Sequence, residues 1–158
     1  MRQADVKNAF CNGTLPSEEI VVVKPPIGCP VSNPNTLWCL KKTLYGLIRS
    51  PLHWYNNISQ LFLSISLRNS PNSPCVFVGK ILDNEPPLYL GLYVDDFCYF
   101  SESNKVEKEF KHKLDNNYSV SYDNKLEWFL GMKFEWKMTE TDLQCLVHQE
   151  AFVLDMVD

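Results

Sequence analysis

Leu88-Tyr89-Leu90-Gly91-Leu92-Tyr93-Val94-Asp95-Asp96-Phe97-Cys98-Tyr99-Phe100 is the most apolar stretch of this 158-residue chain, and two adjacent carboxylates sit inside it. Eleven of its thirteen residues suit a buried β-hairpin. Asp95 and Asp96 do not, because an unpaired buried charge costs several kcal/mol and tends to neutralise instead. Two such groups side by side aggravate the problem, since each raises the pKa of the other. A divalent cation beside them resolves both difficulties. As the tip of an ordinary hairpin, Asp-Asp is a poor choice. Tight hairpin turns need φ > 0 at their central residues and favour Asn-Gly or Asp-Gly.

Working outward, residues 88–94 and 97–100 read as the two arms of a hairpin. Residues 75–78 form a further strand, joined to it by the polar loop 83–87 and preceded by a turn at 70–74. The clearest helix runs over 51–66. Ser50 can cap it, Pro51 suits its first position, and Leu52, Tyr55, Ile58, Leu61, Phe62 and Ile65 recur at three- and four-residue steps. A second helix is expected over 104–116, with Asn104 and Glu107 at capping-box spacing. Val106, Phe110 and Leu114 mark its apolar face, and Lys105, Lys108, Lys111 and Lys113 its solvated one. Residues 2–6, 20–24 and 37–41 read as short strands and 28–35 as a loop. Residues 126–136 and 143–147 look like an antiparallel pair, and 149–157 opens another helix. Strands and helices that alternate irregularly around hairpins argue for an α+β fold with an antiparallel sheet and helices packed on one face.

The length fits a single domain over 1–158 with a real core. Apolar residues at 45% and charged residues at 22% match an ordinary globular composition. A formal charge of −4 argues against simple electrostatic nucleic-acid binding, but not against an enzyme built around an acidic metal site. The sequence shows neither the ~18–20 apolar residues of a membrane span nor the apolar core of a signal peptide. No membrane partner is therefore expected, and with no targeting signal visible the compartment is not fixed, cytoplasmic and nuclear being the intracellular alternatives. Six cysteines without a CxxC and three scattered histidines argue against zinc. The cysteines read as reduced thiols, mostly core filler.

Mg²⁺ is a hard cation that takes carboxylate oxygens and keeps waters or substrate phosphates as its other ligands. Two such ions about 4 Å apart can clamp the attacking and leaving oxygens of a phosphoryl transfer. Holding both takes about three carboxylates, so a third acid is needed. Asp5, at the end of the first short strand, is the candidate. Taken alone it reads as a turn or cap residue, and spacing does not place its strand beside the hairpin.

Tyr93-Val94-Asp95-Asp96 resembles the catalytic turn of reverse transcriptases, and the order of segments is similar to the copia-type retrotransposon branch. Asp5-Val6-Lys7-Asn8-Ala9-Phe10-Cys11-Asn12-Gly13 resembles its first catalytic segment. Lys41-Lys42-Thr43-Leu44-Tyr45-Gly46-Leu47, followed by Pro51 and Trp54-Tyr55, resembles the segment that contacts template and nucleotide. Phe129-Leu130-Gly131 resembles the primer-grip turn, and Gln149 the opening of the next element.

The resemblance implies a polymerase palm that carries out RNA-directed DNA synthesis. Asp5, Asp95 and Asp96 would be catalytic and, with the Val6 backbone, would hold two Mg²⁺ ions, with Mn²⁺ as the alternative. Lys7, Asn8, Ala9, Phe10, Tyr45 and Gly46 would meet the incoming deoxynucleotide, with Phe10 excluding a 2′-hydroxyl. Arg49, Tyr93, Phe129, Leu130 and Gly131 would contact template and primer. The implied partners are an RNA or DNA template with its primer, deoxynucleoside triphosphates and the remainder of a Pol polyprotein, and the cytoplasmic setting would be a virus-like particle. The chain departs from the family pattern at Ile48-Arg49-Ser50-Pro51-Leu52, which replaces Lys-Gln-Ala-Pro-Arg. It departs again at Ser121, which stands where a lysine near the leaving pyrophosphate is usual, and at Asn124, which replaces a glycine. Set beside the family, the chain lacks most of the fingers and the thumb, so the isolated segment is expected to be inactive. The competing reading is a catalytically inactive transposon relic or a nucleic-acid-binding fragment. A metal-dependent nuclease fits less well, since no histidine accompanies the acids as a general base.

Overall fold

A computed structural model describes residues 1–157. In chain order the elements are β1 (Arg2–Val6), α1 (Ala9–Asn12), β2 (Val22–Val23), β3 (Trp38–Cys39), α2 (Ser50–Ser64), β4 (Leu67–Ser70), β5 (Ser73–Gly79), β6 (Leu88–Tyr93), β7 (Asp96–Phe100), α3 (Asn104–Asp115), β8 (Val120–Asp123), β9 (Trp128–Phe129), β10 (Met132–Met138), β11 (Leu143–His148) and α4 (Glu150–Asp155). The class is α+β, as expected. The chain forms two compact units, one of Met1–Lys7 with the chain from Ile65 on, the other of Asn8–Ser64. Among the described residues no helix is long and apolar enough to cross a membrane.

The first unit is built on a six-stranded sheet of order β4-β5-β6-β7-β1-β8, with every neighbouring pair antiparallel. Strand alternation gives this sheet two unlike faces. Ala4 and Val6 of β1, Leu88, Leu90 and Leu92 of β6, and Phe97 and Tyr99 of β7 are buried on one side. Residues 3, 5, 89, 91, 93, 96 and 98 alternate onto the other. The N-terminal strand is inserted between β7 and β8, so residues far apart in sequence become neighbours.

Helix α3 covers the buried face. Val106, Phe110 and Leu114 are all fully buried, and the Phe110 ring lies 5.2 Å from that of Tyr99 and 6.1 Å from that of Phe97. The expected capping box does not form. Ser103, not Asn104, is the N-cap, and no side chain caps the helix. Glu107 is instead turned toward the sheet, where its carboxylate lies 2.5 Å from Arg2 Nε. A tertiary ion pair has taken the acid that a local cap would have used. Glu107 is nearly buried, and without it the part-exposed Arg2 guanidinium keeps only its longer contacts to Asn124 at 3.3 Å and Asn104 at 3.5 Å. Glu107→Ala should lower stability by about 2 kcal/mol, read from denaturant midpoints; a loss under about 0.5 kcal/mol would show that the pair is worth no more than a surface bridge.

Three further expectations need correction. The strand expected over 126–136 is broken by a hairpin turn at Leu130 and Gly131, with φ of 54° and 71°, between β9 and β10. Two successive left-handed residues make the tight turn that a two-residue hairpin needs. Strand β10 then pairs with β11 from Lys133 to Met138. The long helix stops at Ser64 rather than Ser66, because Ser66 adopts φ 69° and redirects the chain into β4. The cysteines are not core filler: Cys39, Cys75 and Cys145 are exposed, Cys11, Cys29 and Cys98 half-buried, and all six are free thiols.

In the second unit, α1 lies against α2. The approach is close at Gly13, where a Cβ would sit 2.5 Å from Thr43 Oγ1 and 3.0 Å from the Trp54 nitrogen. Trp54, Ile58 and Phe62 are buried at four-residue steps along α2. Ser50 is the first helical residue rather than a cap before it, and its hydroxyl donates to the Leu44 carbonyl at 2.5 Å.

Candidate active site

Asp5 lies on β1 with Asp96 directly across on β7 and Ser121 directly across on β8. The strand order therefore supplies what spacing did not, a third acid beside the pair. Asp95 sits in the two-residue turn closed by the Tyr93–Asp96 pair, and its carbonyl accepts the Val6 N–H at 2.8 Å. The next residue, Lys7, donates its backbone N–H to the Ser119 carbonyl at 2.9 Å, which holds the end of β1 from both sides. Val94, the other turn residue, has φ 57°. This is a left-handed conformation that β-branched residues avoid, and such strain costs of order 1–3 kcal/mol and gathers at functional sites.

The acids stand on the face of the sheet away from α3, and they are less enclosed than the apolar sequence around them suggested. Asp5 is exposed, and Asp95 and Asp96 are half-buried. Desolvation still pushes the Asp5 carboxyl above the usual carboxylate range. The charge of Asp95 adds to this, and Lys7 opposes it. Desolvation raises Asp96 as well. The Gln3 amide counters that rise, and the charges of Asp5 and Asp95 add to it. The three carboxylates thus repel one another, and Lys7 offsets part of this at Asp5. Both Asp96 oxygens accept from Gln3 Nε2 at 3.0 Å. Among the described residues no three His, Cys, Asp or Glu side chains are grouped as a ready-made metal cluster.

A carboxyl whose pKa is raised on folding binds its proton more tightly in the folded state, so its contribution to stability falls as pH climbs through the acidic range. In metal-free buffer, Asp5→Asn should therefore match the wild type at the low end of that range and exceed it at neutral pH. Urea midpoints between pH 4 and 7 would show the two curves separating. Parallel curves would mean that the repulsion is already screened.

The remaining expected site residues fall into two groups. In the second unit, Asn8 takes a left-handed conformation (φ 53°, ψ 43°) that turns the chain into α1, and Ala9 is buried. The Phe10 and Tyr45 rings meet at 4.9 Å, tilted by 56°. Gly46, next in sequence, has φ 92°. Phe10 is fixed from behind as well, since Thr43 Oγ1 donates to its carbonyl. Arg49 is not presented to solvent alone: Nη1 lies 3.3 Å from Glu19 Oε2, the same oxygen that His53 Nε2 meets at 2.9 Å. In the first unit, Phe129, Leu130 and Gly131 form the β9–β10 hairpin, with Phe129 buried and Leu130 exposed at the tip. Gln3 was missed by sequence reasoning. Its position two residues before Asp5, hence on the same strand face, was the available signal.

The sequence model of the family described as "Reverse transcriptase (RNA-dependent DNA polymerase)" matches residues 1–157. The chain is 31% identical over 160 aligned residues to the retrovirus-related Pol polyprotein from transposon RE1 of Arabidopsis thaliana, covering 99% of the chain and 10% of that protein. It is 29% identical to the corresponding polyprotein from transposon TNT 1-94 of Nicotiana tabacum, covering 97% of the chain and 11% of that protein. A putative transposon Ty5-1 protein of Saccharomyces cerevisiae is 31% identical, over 81% of the chain and 41% of its own length. The chain thus spans about a tenth of the two plant polyproteins. No solved structure matches it. The copia-type resemblance of the motifs stands, and the chain belongs to the reverse transcriptase (RNA-dependent DNA polymerase) family.

Proposed function

We propose that the sheet carrying Asp5, Asp95 and Asp96 is a polymerase palm, and that it extends a primer 3′-hydroxyl with deoxynucleoside triphosphates on an RNA template. The observation that carries this reading is the register of β1 against β7. It sets Asp5 opposite Asp96 and beside the Asp95 turn, on the face that α3 leaves open. The donor set suits Mg²⁺, since hard carboxylate oxygens that repel one another gain most from a hard cation. Asp5 and Asp95 would hold two ions with Asp96 and the Val6 carbonyl at the margin, and bound Mg²⁺ would neutralise charge on the reacting phosphate.

The chain's own groups do the rest by positioning. The strained Val94 turn and the Val6–Asp95 hydrogen bond fix the Asp95 backbone against β1. Lys7 sits close enough to Asp5 to influence its charge and can face the triphosphate. The family resemblance assigns exclusion of a 2′-hydroxyl to Phe10, whose ring meets that of Tyr45 at 4.9 Å. The Leu130–Gly131 turn presents an exposed apolar tip that can support the primer. Arg49, paired with Glu19, would release that carboxylate to reach a template or triphosphate phosphate.

The test is single-nucleotide extension of oligo(dT) on poly(rA) by this segment flanked by fingers and thumb sequence. Extension that requires Mg²⁺ or Mn²⁺ is expected. Binding of the primer–template without any extension would favour the rival reading, an inactive transposon relic that only binds nucleic acid.

A further inference from the structure

We propose that Gln3 is a positioning residue of this site: its side-chain amide holds the Asp96 carboxylate and leaves Asp5 and Asp95 as the pair that takes the cation. The inference rests on the reading of these acids as a metal site. Gln3 and Asp5 are two apart on β1 and so share the open face. Across the β1–β7 ladder Gln3 faces Cys98 and Asp5 faces Asp96, so the Gln3–Asp96 contact is a diagonal one. Diagonal neighbours lie within reach of a long side chain. The residue beyond Cys98 in the same row is Gly91, which has no side chain to crowd the row. Gln3 Nε2 sits 3.0 Å from Oδ1 and 3.0 Å from Oδ2 of Asp96. An ionised carboxylate only accepts, so the amide must present its nitrogen, and this fixes its orientation.

The consequence is an asymmetry among three acids that look alike in sequence. Asp96 has both oxygens turned to one amide, which leaves no free edge for bidentate ligation. Asp5 and Asp95 are brought together by the Val6–Asp95 hydrogen bond at the end of β1. The tether keeps a third negative charge near the cation without letting it close the coordination shell. Bound Mg²⁺ would then keep positions for substrate phosphate oxygens. Removing a group that sets which acids reach a metal typically changes metal affinity or activity about 10- to 100-fold.

Two measurements test this. In the wild-type chain titrated with MgCl₂ alone, the side-chain amide resonance of Gln3 should hold its position while the Asp5 and Asp95 carboxyl carbons shift. If the Gln3 resonance moves to that of a free amide as Mg²⁺ is added, Asp96 has left Gln3 to ligate the metal and the proposal is wrong. If Mg²⁺ moves none of the three carboxyls, the metal reading itself fails. In the extension assay, Gln3→Met keeps the length and removes the amide, and Gln3→Leu removes it in a shorter side chain. Each should free Asp96 to ligate, lowering the Mg²⁺ concentration for half-maximal rate and raising the KM for deoxynucleotide, each by about tenfold. A purely structural Gln3 would lower thermal stability in both variants and leave the Mg²⁺ dependence where it was.

Discussion

Asp95→Asn is expected to reduce Mg²⁺-dependent nucleotide incorporation about a thousandfold or more while the fold survives. The size follows from the role proposed for the carboxylate as a ligand of the cation. A cation that neutralises charge on the reacting phosphate is worth several kcal/mol of barrier, and each 1.36 kcal/mol is about tenfold in rate. Asparagine keeps the shape of the turn but loses the charge, so affinity for the hard cation falls with it. The fold survives because Asp95 contributes its carbonyl to the ladder, through Val6 N–H at 2.8 Å, and asparagine retains that carbonyl. Removing one of three mutually repelling acids should also leave stability equal or slightly higher. The comparison to make is kcat against KM for a single incorporation. A change in KM alone would mean that Asp95 binds substrate without acting in the transition state.

Phe110→Ala is the change with the largest expected effect on stability. Phe110 is fully buried at the centre of the contact between α3 and the sheet, edge-on to Phe97 at 77° and tilted against Tyr99 at 57°. Truncation removes a ring's worth of buried apolar surface and leaves a cavity against the Phe97 and Tyr99 rings. Such changes cost about 3–5 kcal/mol. For a domain of this size that is a fall in melting temperature on the order of 10 °C. Lys108→Ala, on the solvated side of the same helix, should change stability by less than about 0.5 kcal/mol. Differential scanning calorimetry separates the two. Equal small shifts would mean that α3 is not part of the cooperative core.

What the sequence made legible was decided by local pattern. The alternation in residues 88–100 set the hairpin, and the 106-110-114 spacing set the buried face of α3, because both report burial directly. The four-residue helix α1 carried no such signal: Asn8 turns the chain by its backbone and makes no side-chain cap. Strand β4 was hidden because Leu67 alone of its four residues is buried. The β9–β10 turn was hidden because Leu130 reads as a strand residue while its backbone is left-handed. Glu107 had the spacing of a cap, and only the fold shows Arg2 beneath it. In the candidate site, Asp95 and Asp96 announced themselves as carboxylates in an apolar run. Asp5 became their neighbour only through the insertion of β1 between β7 and β8. Gln3 looked like an ordinary strand residue until that insertion placed it against Asp96.

The convergence of Asp5 with Asp95 is the claim on which the polymerase reading depends. A double-mutant cycle in single-nucleotide extension, with the segment flanked by fingers and thumb sequence, tests it most directly. Two residues that act through one cation should each cost nearly the full activity, and Asp5→Asn with Asp95→Asn together should cost little more than either alone. Losses that multiply, or full activity in Asp5→Asn, would contradict the assignment of Asp5 to the site.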